Sequence, residues 1–292
     1  MNTNSLNLKM KKILGKRIKK IIFFLLFPQR NHFKLFNYTD RAKNNHVNLN
    51  YWWESNNLGD TLSPIIVNHM LSQRGLDSNV VVSSRRHLYA VGSVLTAGIQ
   101  DCTVWGSGIL NAGLIYRLSR RRFDVRAVRG PLTRAILMDY GHIVPEVYGD
   151  PAILMVEIYN PVNIEKKHKF GLIMHKDQIL DIPKDLDIYP IDICTDDYRK
   201  FIDELKKVEI VISSSLHGII LAESFGIEAI LLKPKIDILK YYDWYYSTRR
   251  FDFPMAETIK KATLISPVAL PTNLDVLRKK LKNAFPYDIY KD

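Results

Sequence analysis

VEIVISSSLHGIILAESFG, residues 208–226, is a β-rich apolar run that ends in three serines and turns directly into a helical pattern. Val208, Ile210, Val211 and Ile212 make the run, and Ile219, Ile220, Ala222 and Phe225 recur at helical spacing before Gly226 closes the segment. A buried strand feeding a helix through such a short turn belongs to α/β architecture. The turn itself gathers hydroxyls, an imidazole and the unpaired N–H groups of a helix start. Free donors and the positive end of the helix dipole point the same way there, so an anion is favoured. His217 stands at the mouth and exchanges protons near neutral pH. Read alone, the segment is also consistent with serine N-caps and a hydrogen-bonded structural histidine.

The same pattern repeats outward from this stretch. HLYAVGSVL (87–95), CTVWGSG (102–108) and VRAVRG (125–130) read as strands ending in Gly/Ser turns, and PLTRAILMDYG (131–141) as a helix with Pro131 at its start. KFGLIMH (169–175), a helix around 195–206, the quoted segment and EAILLKP (228–234) form a second series. Strands alternating with helices argue for parallel sheets. The polar stretch EIYNPVNIEKKH (156–167) separates the two series. The expected fold is therefore α/β, with two Rossmann-like domains facing a cleft. The divisions are 1–47 for an arm and connector, 48–160 and 161–270 for the two domains, and 271–292 for a final amphipathic helix. A single larger α/β domain is the alternative. Ligands of open parallel sheets sit at the carboxyl ends of strands, where the Gly/Ser turns fall. That places Gly106 and Ser107 among the candidate binding residues.

The 292-residue chain carries a formal charge of +12, which resembles a nucleic-acid binder until it is located. Residues 1–50 hold eleven lysines and arginines and one acid, leaving 31 basic against 29 acidic residues in the remainder. The body is near neutral, and no stacking module accompanies the basic arm, so nucleic acid is not the expected partner. In the arm, Leu6, Met10, Ile13, Leu14, Ile18 and Ile21 recur at helical spacing among Lys9, Lys12, Lys16, Lys19 and Lys20. The apolar run 21–27 stops at Pro28, well short of the ~20 residues that cross a bilayer. No small-residue cleavage site follows it. An N-terminal basic amphipathic helix over residues 5–27, lying on an anionic membrane surface, fits this pattern. Docking of that helix on the body or on a partner, and a disordered or nucleic-acid-binding arm, are the competing readings. Cys102 and Cys194 lack CxxC or metal-ligand neighbours, which implies a reducing compartment and no zinc site. Together these readings predict a cytoplasmic protein, peripheral on the inner face of the membrane. His69, His87, His142 and His175 read as structural or surface residues, and no metal site is expected.

Seven elements carry a resemblance: WWESNNLGDTLSP (52–64), VGSVL (91–95), VWGSG (104–108), VRGPLTR (128–134), YGDPAIL (148–154), SSSLHGIILAESFGI (213–227) and KYYDWYYSTRR (240–250). In this order they resemble the polysaccharide pyruvyl transferase family. The resemblance implies a GT-B-like pair of domains with the phosphorylated donor on the C-terminal one. It also implies transfer of the enolpyruvyl carbons of phosphoenolpyruvate onto two hydroxyls of a sugar, giving a cyclic ketal and inorganic phosphate. No cofactor is needed beyond that donor substrate. The acceptor would be a glycan sugar, including a lipid-linked oligosaccharide, in surface polysaccharide biosynthesis.

Such chemistry requires an acid for C3 of the donor, a base for the attacking hydroxyls, and cations or N–H donors for phosphate and carboxylate. His217, Asp60 and Glu223 are the candidate acid and base groups. Asp60, in NNLGD, serves either as a helix cap or as the base on the acceptor, with Asn57 as a companion. Ser213, Ser214, Ser215 and the Gly218 N–H are candidates to line the anion pocket, each serine also being a potential helix cap. Arginine often precedes the Leu-His-Gly turn in the family. Ser215 stands there in this chain, so an anion contact must come from elsewhere. Arg129, at a strand end, is the candidate, ahead of Arg134 on the following helix. Asp150 reads as a helix cap and organiser of the substrate site, and Lys240 and Asp243 match the family pattern for substrate contacts. The aromatics of 240–250 either stack on sugar rings or anchor the domains. A nucleotide-sugar-dependent GT-B glycosyltransferase and a non-catalytic membrane-tethered scaffold are the competing functions.

Overall fold

Strand β1 (Val47–Asn50), β2 (Arg86–Tyr89), β3 (Cys102–Trp105) and β4 (Phe123–Ala127) form one sheet in the order β1-β2-β3-β4, every neighbour parallel. A second parallel sheet is built from β5 (His168–Ile173), β6 (Ile188–Pro190), β7 (Val208–Ser213), β8 (Glu228–Leu232) and β9 (Met255–Ala256), in the order β6-β5-β7-β8-β9. These come from a computed structural model that describes residues 42–292 apart from 53–55, 99, 111, 120 and 179. The basic helix expected over residues 5–27 lies outside the described residues. The α/β class and the parallel sheets are as the alternating pattern implied. Ala42–Asp292 form one compact unit.

Parallel neighbours need crossover connections, and helices supply most of them. Helix α1 (Leu58–Ser72) joins β1 to β2, and α2 (Pro131–Asp139) follows β4, with Pro131 at its first turn as expected. After the short α3 (Met155–Ile158) come α4 (Tyr198–Lys206) before β7 and α5 (Leu216–Ser224) between β7 and β8. Then follow α6 (Leu239–Ser247), α7 (Ile259–Ala262) and α8 (Leu274–Asn283). Short 3₁₀ segments occupy Ala112–Leu118, Pro151–Leu154 and Tyr287–Tyr290. Pro64 lies inside α1, where its missing N–H leaves the carbonyl of Asp60 without its helical partner.

All nine residues of α5 are buried. A helix covered on every side sits in the core, and each of Leu216, Ile219, Ile220 and Leu221 contributes roughly 1.5–3 kcal/mol by leaving water. Its polar members His217 and Glu223 must then be satisfied from neighbouring elements. The C-terminal segment returns to the first sheet. Trp105 Nε1 donates to the Leu281 carbonyl at 2.8 Å, and Arg126 grips Asp288 at 2.6 Å. Among the described residues no helix is long and apolar enough to cross a membrane.

Candidate active site

The turn between β7 and α5 is pinned by its own serines. Ser213 Oγ donates to the Ile173 carbonyl (2.8 Å) and accepts from the Ser215 N–H (3.0 Å). Ser214 Oγ accepts from the His175 N–H at 2.9 Å, and Ser215 caps α5 by accepting from the Gly218 N–H at 3.5 Å. The Tyr241 hydroxyl donates to the Ser214 carbonyl at 2.6 Å. All three hydroxyls expected to line an anion pocket thus serve the backbone. A Cβ on Gly218 would come within 2.5 Å of Ser213 Oγ, so this turn closes only around glycine.

That turn delivers His217 to a point where several chain segments meet. Its ring lies against Gly59, whose hypothetical Cβ would be 2.0 Å from Nδ1, and near Gly92, where φ is +97°. Nε2 faces Asp150 Oδ2 at 3.6 Å. Asp150 is fully buried and caps the 3₁₀ segment that follows it, Oδ1 accepting from the Ala152 N–H at 3.0 Å. Gly106 (φ +83°) lets the end of β3 pass Pro151, whose Cδ would lie 2.4 Å from a Cβ. Ser107 Oγ donates to the Gly92 carbonyl at 2.8 Å, holding the loop after β2 beside the same point.

Asp60 approaches from the first turn of α1. Asn57 Nδ2 donates to its Oδ2 at 2.6 Å, and a Cβ on Gly92 would meet its Oδ1 at 3.5 Å. Asp60 keeps part of its surface exposed, yet protein crowds the carboxylate. Burial raises its pKa, opposed in turn by His217, the Asn57 hydrogen bond, Lys176 and Lys240. A carboxyl raised in this way is suited to donating a proton.

Cations act electrostatically on this group. Lys240, on α6, is 6% exposed and makes no hydrogen bond or ion pair among the described residues; its Nζ lies 5.1 Å from the Tyr241 ring centroid. Burial first, and Arg129 second, push its pKa down to about 7. His175, just past β5, is pushed down to about 4 by burial and then by Lys240. Neighbouring Lys176 lies over the Trp52 ring at 5.2 Å and acts electrostatically on both Asp60 and Lys240.

Arg129 is fully buried and heavily engaged. Its Nε donates to Asp243 Oδ2 (3.2 Å), Nη1 to Ser93 Oγ (2.5 Å) and Nη2 to the Ile109 carbonyl (2.9 Å). Asp243, also fully buried, accepts in addition from the N–H groups of Leu132 and Thr133 and from the Thr133 hydroxyl. It caps α2 from outside and holds the guanidinium in place. Arg134 points elsewhere, donating to the Val144 carbonyl at 3.1 Å. Glu223 is not brought to this group. Arg250 clamps both of its oxygens (2.6 and 2.8 Å), and Trp244 Nε1 donates to Oε2 at 2.9 Å.

The structure therefore unites Asp60, Asn57, Asp150, His217, Lys240 and Arg129 from the sequence-derived candidates. It adds Gly59, Gly92, Ser93, His175 and Lys176. No group of three or more His, Cys, Asp or Glu among the described residues could hold a metal ion. Proton exchange and the holding of an anion are what the arrangement offers.

The model of the polysaccharide pyruvyl transferase family matches residues 57–235, more than half of the chain. This chain belongs to that family. The match takes in Asn57, Asp60, Arg129, Asp150 and His217 and stops short of Lys240 and Asp243. Among relatives of this pyruvyl transferase family member, an uncharacterised protein of Acanthamoeba polyphaga mimivirus is 26% identical over 217 residues, covering 68% of this chain and 73% of that protein. The succinoglycan biosynthesis protein ExoV of Rhizobium meliloti is 28% identical over 213 residues, covering 66% of this chain and 63% of ExoV. A solved structure of a functionally uncharacterised Klebsiella pneumoniae protein superposes with a TM-score of 0.46 at 13% identity, over 79% of this chain and 93% of that one. Family membership supports a role in polysaccharide pyruvylation.

Proposed function

We propose that this protein moves the enolpyruvyl group of phosphoenolpyruvate onto two hydroxyls of a glycan sugar, forming a pyruvate ketal and releasing phosphate. The observation that carries this reading is Lys240, a buried amine with no hydrogen bond or ion pair among the described residues, beside a carboxyl with a raised pKa and an imidazole. A buried unpaired charge is costly, and a small dianionic or trianionic donor would satisfy it. Lys240 and Lys176 hold the phosphate and carboxylate, and Arg129 adds positive potential from behind.

In the reaction Asp60 delivers its proton to C3 of the donor, leaving a cation-like C2 stabilised by the bridging oxygen between C2 and phosphorus. A sugar hydroxyl bonds to C2 and gives its proton to His217. Phosphate leaves with its bonding pair, regenerating a cation-like C2 that the second hydroxyl attacks. Of the two hydroxyl protons, one restores Asp60 and the other leaves with phosphate. The two parallel sheets would act as the lobes of a GT-B-like enzyme, acceptor on the first and donor on the second. We further infer a lipid-linked acceptor at the membrane's inner face, reached through the basic arm.

Thermal shift of the full chain against phosphoenolpyruvate and UDP tests the donor. Ligand at 100 times its dissociation constant should add about 2.7 kcal/mol. Stabilisation by phosphoenolpyruvate alone, lost in Lys240→Met, supports the proposal. Stabilisation by UDP alone would replace it with a nucleotide-sugar glycosyltransferase.

A further inference from the structure

Two buried polar atoms in the site have no hydrogen-bond partner, and they face each other: His217 Nε2 and Asp150 Oδ2, 3.6 Å apart. More than nine in ten buried polar groups are satisfied, so an orphan calls for a physical reason, and two orphans aimed at one another share one. The gap exceeds the usual N–H···O range of roughly 2.7–3.2 Å by a few tenths of an ångström.

Resting on the reading of His217 as a proton-exchanging group, we propose that Asp150 is its positioning residue. Asp150 Oδ2 takes the Nε2–H, so proton exchange with the substrate runs through Nδ1.

Asp150 is held from both sides. Its Oδ1 is occupied by the Ala152 N–H, Pro151 packs on Gly106, and the residue is completely buried. Such a carboxylate cannot leave to meet a substrate, so it contributes by holding the imidazole and by stabilising the imidazolium. The ring fits because Gly59 has no side chain, and about a tenth of the His217 side chain stays exposed while Nε2 is buried. What the ring offers to a ligand is therefore its other edge. When a sugar hydroxyl attacks C2, its proton passes to Nδ1. The resulting charge is stabilised through Nε2–H by the Asp150 carboxylate. The other titratable groups facing the ring are Asp60 from α1 and His175 from the end of β5; Lys240 and Lys176 act on both.

The test is the ring tautomer of His217 in full-length protein carrying ¹⁵N-histidine, observed above the ring's titration and assigned with His217→Ala. The wild type is expected to show the Nε2–H form. In Asp150→Asn the amide preserves the cap through its oxygen and donates toward Nε2, so the signal should change to the Nδ1–H form. In that variant kcat should fall roughly 100- to 10,000-fold with KM for phosphoenolpyruvate unchanged. Asp150→Glu should recover part of the rate. A wild-type Nδ1–H tautomer, or an unchanged tautomer in Asp150→Asn, overturns the proposal, and the wild-type spectrum decides alone if the variant does not fold. A protein with the expected tautomer but no pyruvyl transfer would instead defeat the functional reading, leaving the Asp150–His217 pairing standing.

Discussion

Replacing Lys240 with methionine should stabilise the ligand-free protein while destroying donor binding. Lys240 is 6% exposed, and burial lowers its pKa from 10.5 to about 7. A lysine lowered in the folded state binds fewer protons than the unfolded chain between pH 7 and 10.5. Stability therefore climbs with pH across that window, and the full penalty applies below it. At about 1.4 kcal/mol per pH unit the penalty has a ceiling of roughly 5 kcal/mol. Methionine has similar length and no charge to desolvate. At pH 6 the variant should gain a few kcal/mol, which corresponds to a Tm higher by about 5–10 °C for a unit of this size. The advantage should shrink steadily above pH 7 and vanish near pH 10.5. Chemical denaturation at pH 6, 8 and 9.5, with the wild type as reference, reads the difference directly. The same residue predicts that phosphoenolpyruvate binding at pH 8 takes up a proton, seen as a calorimetric heat that varies with the buffer. A variant no more stable than wild type at pH 6, or a gap that does not change with pH, would refute the claim that this ammonium is buried without an anion.

Two further substitutions separate the site from its supports. Glu223→Gln should cost about 3–5 kcal/mol in urea denaturation, because Arg250 would keep a buried charge without its partner; phosphoenolpyruvate binding to the folded variant should be unchanged. Gly59→Ala places a carbon 2.0 Å from His217 Nδ1. Overpacking of about 1–3 kcal/mol should show in the melting curve, with a loss of kcat larger than any change in KM.

The repeating strands and helices were readable because buried parallel strands are continuous apolar runs and their helices carry clear stops. VEIVISSS became β7 and LHGIILAES became α5 for that reason. Strands β6 and β9 were not readable, since three and two residues at sheet edges hold too little pattern. Helix α6 was hidden by LKYYDWYYS, whose aromatics are indifferent helix formers. In the site, His217, Asp60 and Arg129 stand at glycine-marked turns, which is where parallel sheets collect ligands. The partners of Glu223 and Asp243 could not be foreseen. Arg250 and Trp244 hold the first, while Arg129 and the N-terminus of α2 hold the second, and only tertiary packing brings these together. His175 read only as a structural or surface residue because nothing local distinguishes it. The pairing of Ile173 with Ser213 is what carries the end of β5 to the His217 turn.

The most direct test of the central claim is product analysis after incubating the full chain with phosphoenolpyruvate and a panel of oligosaccharides in heavy water. The account predicts phosphate released one for one with an acid-labile pyruvate ketal, its methyl carrying one deuterium from protonation at C3. A glycan extended instead by a sugar from a nucleotide donor, with phosphoenolpyruvate left intact, would contradict it.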